Sequence, residues 1–169
     1  MDEDDIEYVR HYVSDRTSFK LVTDRLENKK PGEKMFLFNV TMQNHGGYTY
    51  DGGEFPTVTI SNLQGHYKEA EQYLSLIKES DKAFEELVRY LKNYDEPTIV
   101  VMFGDHQPAV EQEFYEELYG KSLSKLSTEE LQQRYKIPFV IWANYDIESQ
   151  EDLKTSPNYL SDLLLDTAN

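Results

Sequence analysis

Along HYKEAEQYLSLIKESDKAFEELVRYLKN, positions 67, 70, 74, 77, 81, 84, 88 and 91 step by threes and fours and carry Tyr, Ala, Leu, Ile, Asp, Phe, Val and Leu. That spacing predicts one long amphipathic helix. Its stripe contains a carboxylate, Asp81, which burial would oblige to pair with a loop. Earlier, SDRTSFKLVTDRLENKK offers Ser14 as an N-cap and places Phe19, Val22 and Leu26 on one helical face. The runs MFLFNVTM (35–42) and TIVVMF (98–103) are short, apolar and rich in strand formers, as strands buried on both faces are.

Strand, long helix, strand is a βαβ unit, which demands a right-handed crossover and a parallel pair. Both strands then end on one edge of the sheet, bringing the NHGG and GDHQ loops together. Downstream, Pro108 and Gly120 bracket a further helix, and Ser127 and Glu130 form a capping box. IPFVIWA (137–143) is a third strand, and Ser156 and Pro157 open a last helix with Leu160, Leu163 and Leu164 inward. Residues 1–169 thus read as one α/β unit with layers in the order helix, parallel sheet, helix.

The second apolar run ends abruptly on Asp105 and His106, an acid and an imidazole that are costly to bury unpaired. Ligands of open parallel α/β sheets bind beyond the carboxyl ends of the strands. A carboxylate and an imidazole there suit a divalent ion such as zinc, manganese or iron, with Gly104 easing the turn. Two donors do not complete such a site. The alternative is that Asp105 caps the following segment and His106 is a loop histidine. His45, ending the neighbouring strand, could face the same crevice.

Glycines 46, 47, 52 and 53 read as turn formers, because neither GxGxxG nor P-loop spacing is present. His11 and His66 lie at helix starts and receive no role. Tyr48, Tyr50 and Tyr67 are assigned to core or surface rather than to a cleft.

Composition narrows the partners. With 17 basic and 32 acidic residues the formal net charge is −15, which repels nucleic acid and anionic lipid surfaces. A phosphate-bearing ligand is opposed too, unless a bound cation reverses the local field. No cysteine is present, so disulfides and thiol chemistry drop out. The apolar runs fall short of the roughly 20 residues of a membrane span, and the start MDEDD lacks a signal peptide's basic charge. The chain as given is expected to be soluble, without direct membrane insertion.

In order, FLFNVTMQNHGGY, the long helix, TIVVMFGDHQP and IPFVIWAN resemble the sulfatase-like domain of the lipoteichoic acid synthase family, within the alkaline phosphatase superfamily. The resemblance runs from about residue 6 onward. It implies the carboxy-terminal portion of an alkaline phosphatase-like domain, with Asp105 and His106 as metal ligands and His45 as the residue that touches substrate phosphate. The metal so implied is manganese, with zinc, magnesium or calcium as alternatives. Gly47 stands where relatives usually carry proline, which bears on cleft shape. The resemblance also implies that the nucleophilic threonine, a further acidic ligand and membrane helices precede this segment; Thr41 and Thr49 match no nucleophile motif.

The expected parent is therefore a metal-dependent phosphoglycerol transferase or phosphodiesterase. It would act at the extracellular face of the cell membrane on a glycerophospholipid or other polyol phosphate, in synthesis of an envelope polymer. The chain alone is expected to be inactive and, with an unpaired strand edge, to self-associate. Two rival readings are a non-catalytic acidic α/β interaction module and a sulfate-ester hydrolase.

Overall fold

The computed structural model describes residues 5–52 and 55–168. Gly53, one of the expected turn formers, lies outside them. A two-strand hairpin, β1 (Tyr8–Val9) and β2 (Tyr12–Val13), leads into α1 (Asp15–Glu27). A long irregular stretch follows, then α2 (Lys68–Leu91), β3 (Ile99–Phe103), α3 (Gln112–Tyr119), α4 (Thr128–Gln133), β4 (Phe139–Ala143) and α5 (Leu160–Ala168). Single 3-10 turns occupy Leu123–Lys125 and Pro157–Tyr159.

Local chemistry sets most of these limits. Ser14 is extended (φ −64°, ψ 150°) and its hydroxyl oxygen accepts the Thr17 amide at 3.0 Å, which starts α1 where expected. Ser127 and Glu130 form the expected reciprocal box at α4. Gly120 ends α3 at φ 63°, a conformation glycine takes without a Cβ clash. The last helix is entered through the 3-10 turn at Pro157.

The first turn of α2 has no cap from Tyr67. Instead the Glu111 carboxylate accepts the amides of Glu69 at 2.7 Å and Ala70 at 3.0 Å, meeting the partial positive charge of the helix start. A residue beyond the GDHQ loop thereby closes a helix that begins far earlier in the chain.

Helices α1 and α2 pack together, with Arg16 forking onto both carboxylate oxygens of Glu86 at 2.9 and 3.0 Å. The inward face of α2 is shifted from the predicted one. Leu76, Ser80, Ala83, Leu87 and Leu91 are buried, whereas Asp81 is exposed and Ile77 is 39% exposed. The expectation of a buried Asp81 is corrected. The buried face includes Glu71, Gln72, Ser75 and Ser80, so its polarity hides it from a search for apolar spacing. Each of these polar groups is bonded: Ser75 accepts the amides of Thr57 and Val58, and Glu71 those of Ile60 and Gly65.

The α/β class holds, but the expected parallel pair does not form among the described residues. Strand β3 pairs antiparallel with β4, from Ile99 opposite Ala143 to Phe103 opposite Phe139. Asn144 locks the end of that pair, its amide donating to the carbonyls of Leu91, Tyr94 and Glu96 and its oxygen accepting the Thr98 amide. Residues 35–42 are not a strand. Phe36, Phe38 and Val40 are 80%, 72% and 68% exposed, and Leu37 and Met42 are exposed as well. An apolar run of this kind needs neighbours on both faces, and none of the described residues supplies a ladder for it.

Candidate active site

His45 sits on the loop after that apolar run, and the loop is fixed from two sides. From below, Gln43 is 1% exposed; its oxygen accepts the Asp15 amide at 2.9 Å and its amide donates to Ser80 at 3.1 Å. The neighbouring Asn44 also donates to the Ser80 hydroxyl, at 2.8 Å, and Ser80 donates to the Asp15 carboxylate at 2.5 Å. Burial pushes the Asp15 carboxyl above its ordinary range, against hydrogen bonds from Ser80 and Thr41 that pull it down.

From the other side, Arg10 reaches over from the hairpin turn. Its guanidinium donates to the carbonyls of Gln43 and His45, each at 2.8 Å, and of Gly47 at 3.2 Å. Arg10 holds φ 57°, a left-handed conformation costing a non-glycine residue about 1–2 kcal/mol. Three charge-assisted bonds to one loop offset that strain. The same guanidinium lies 5.4 Å from the Tyr12 ring centre and 5.6 Å from that of Tyr48. The Tyr12 hydroxyl is 3.1 Å from His45 Nδ1.

Asp105 and His106 follow β3 directly, as the apolar run requires. Both side chains are exposed, 86% and 72%, so no burial penalty forces a partner on them; that part of the expectation is corrected. The carboxylate Oδ2 lies 3.6 Å from His106 Nε2. His106 Nδ1 is 2.8 Å from the Gln107 carbonyl, which can only accept, so Nδ1 carries the proton and Nε2 of the neutral ring keeps its lone pair. Ligands about 2.0–2.1 Å from a tetrahedral ion stand about 3.4 Å apart. The pair therefore fits two corners of a divalent-ion site. Among the described residues no group of three or more such donors gathers there.

The structure brings Asp105 and His106 together, and Asp105 also acts electrostatically on Tyr48, further along the His45 loop. Tyr48 is buried, and desolvation, with smaller contributions from Tyr73, Tyr115 and Asp105, pushes its hydroxyl up to about 12 against the pull of Arg10. Arg10 and Tyr12 were invisible as site residues in the sequence. The one available signal was an arginine at the tip of YVRHYV, between two strand-forming pairs.

A cleft of about 350 Å³ opens beside His45. One wall is the hairpin turn, Arg10 to Tyr12; the other runs from Gly46 to Asp51. Tyr50, expected in core or surface, lines this cleft.

Three comparisons relate the chain to known proteins. A solved structure of the Streptococcus pyogenes phosphoglycerol transferase GacH, in complex with sn-glycerol-1-phosphate, superposes with a TM-score of 0.62 at 24% identity, over 87% of this chain and 35% of GacH. The chain thus shares the fold of the matched part of GacH. A candidate cyclic beta-1,2-glucan modification protein of Rhizobium meliloti (strain 1021) is 28% identical over 144 residues, 80% of this chain. The capsular polysaccharide biosynthesis protein RkpI of the same organism is 32% identical over 97 residues, 57% of this chain. The aligned parts are 22% and 16% of those two relatives. Sulfatase is the family that matches, over residues 1–169, and the chain belongs to it.

Proposed function

We propose that this chain forms the phosphate and metal corner of a larger catalytic domain, which moves a polyol phosphate such as phosphoglycerol onto a cell-envelope glycan. The observation that carries this reading is the Asp105–His106 pair at the carboxyl end of β3, its Nε2 lone pair held open by the Gln107 carbonyl. The GacH complex with sn-glycerol-1-phosphate and the glucan- and capsule-related relatives support the donor and the acceptor respectively.

In this reading Asp105 and His106 hold a divalent ion, manganese foremost, with the remaining ligands from sequence outside these residues. When bound, the ion supplies Lewis-acid charge that neutralises a phosphoryl group against the chain's own net charge of −15. His45 hydrogen-bonds a phosphoryl oxygen. Arg10 and Tyr12 keep that imidazole in place, and the buried pair Asp15 and Ser80 keeps the loop beneath it from shifting. The nucleophile is a threonine outside this chain, and the parent works at the extracellular face of the membrane. Among the described residues no helix is long and apolar enough to cross a membrane.

The reading is tested by nuclear magnetic resonance on the isotope-labelled chain. Manganese should broaden the amides of residues 104–107 first, and Asp105→Asn should abolish that selectivity. Titration with sn-glycerol 1-phosphate should then shift His45. Uniform broadening over the acidic surface, unchanged in Asp105→Asn, would overturn the metal assignment. Turnover of a phosphodiester by this chain alone would overturn the assignment of the nucleophile elsewhere.

A further inference from the structure

The cleft beside His45 has features that the phosphate reading does not use. Gly46 lines it, yet a Cβ there would meet nothing within 4 Å, and its φ lies outside the left-handed region. Neither packing nor backbone strain calls for glycine at this position. A missing side chain in a cleft wall leaves room for something else. The walls are also held rigid by buried groups. Gln72, 3% exposed on α2, donates to the Tyr50 carbonyl at 2.8 Å and accepts the Tyr50 amide at 3.2 Å. Across the opening, the His11 ring meets the Tyr50 ring edge to face at 5.2 Å.

The chemistry of the lining selects the ligand. Three of the Arg10 guanidinium N–H groups go to backbone carbonyls and Nε is buried out of a ligand's reach, while Asp51 adds a negative charge to the lining, so the cleft disfavours an anion. Tyr12, Tyr50 and His11 offer rings with polar tips, while Thr49 and Asp51 offer a hydroxyl and a carboxylate. Aromatic faces accept the slightly positive C–H groups of a pyranose, and a carboxylate accepts from its hydroxyls. The volume falls at the lower end of the range for small-molecule sites, about 300–1,000 Å³.

We propose that this cleft is a subsite for a neutral sugar residue, the glycan acceptor, seated against Tyr12 and Tyr50 with Gly46 clearing its path. Tyr12 belongs to both sites, since it lines the cleft and touches His45 Nδ1. The subsite therefore lies directly beside the group assigned to phosphate. The proposal rests on the acceptor being a glycan, as proposed above, but its test does not depend on catalysis.

The probe is a β-1,2-linked glucose disaccharide titrated into the isotope-labelled chain, with inorganic phosphate and sn-glycerol 1-phosphate as separate titrants. The disaccharide should shift the amides of residues 46–51 and leave 104–107 unmoved. Gly46→Val should weaken it roughly tenfold, the scale of discrimination a few methyl groups give in a fitted pocket. Gly46→Ala should have a smaller effect in the same direction, and amide dispersion elsewhere reports folding of both. No shift at 46–51 up to the solubility limit, shifts unaffected by Gly46→Val in a folded chain, or inorganic phosphate moving 46–51 in place of the sugar would each overturn the subsite. Failure of sn-glycerol 1-phosphate to move His45 would count against the phosphate reading alone.

Discussion

The Tyr12 hydroxyl stands 3.1 Å from His45 Nδ1 while the Arg10 guanidinium lies against the Tyr12 ring. A Tyr12 hydroxyl that donates to Nδ1 leaves the imidazole proton on Nε2. Tyr12→Phe should release that tautomer. Nitrogen shifts of the neutral His45 ring should move toward a mixture of both forms while amide dispersion is kept; an unchanged ring would show that Tyr12 only packs there.

Arg10 carries the loop more directly. Arg10→Ala removes three charge-assisted bonds and strands the carbonyl of the buried Gln43. Urea denaturation should show a loss of about 2 kcal/mol, in the range for hydrogen bonds to charged groups. His45 should broaden as its loop loosens. Arg10→Lys should recover part of the stability but not the order, because an ammonium cannot span the three carbonyls as a fork does.

Asp15 gives a pH dependence with a definite sign. Burial raises its carboxyl above the unfolded value, so the native chain holds that proton more tightly. The favourable contribution is complete below the unfolded value and is lost as pH rises through the folded one. Asp15→Asn keeps an acceptor for Ser80 without the charge. The difference in stability between variant and wild type should therefore shift in the variant's favour from acid to neutral pH; a constant difference would contradict the buried-charge account.

Removing the Glu111 carboxylate should be felt on α2. Glu111→Ala leaves the amides of Glu69 and Ala70 without an acceptor, a loss of about 1 kcal/mol on the scale of helix caps. Amide hydrogen exchange should accelerate at residues 68–71 and not at the far end of the helix.

The exposed rings of Phe36 and Phe38 should drive association of the chain in water. Phe36→Lys combined with Phe38→Lys should lower the apparent mass in light scattering at high concentration. An unchanged mass would remove that surface as the cause.

Most elements were legible because their signals are local. Ser14, Ser127 with Glu130, and Gly120 mark helix ends by their own side chains or φ, and the runs at 99–103 and 139–143 are apolar and β-branched. The phase of α2 was misread because Ser75, Ser80, Gln72 and Glu71 face inward, where each meets a partner that only the folded chain brings near. The pairing of β3 differs from the expected one for a related reason, since the run at 35–42 has the composition of a strand but no ladder among the described residues. Asp105, His106 and His45 stood out by type and position, whereas Arg10 and Tyr12 act through contacts across more than thirty positions of sequence.

Glu111 gives the GDHQ loop a mechanical connection that its exposed side chains lack. The carboxylate closing the first turn of α2 hangs a few positions past His106, so fraying of that turn slackens the tether of residues 104–107, and an ion bound there as proposed would tighten the start of a helix about 36 Å long. Occupancy at one end of the chain's longest rigid element would thus be readable as protection at its first amides.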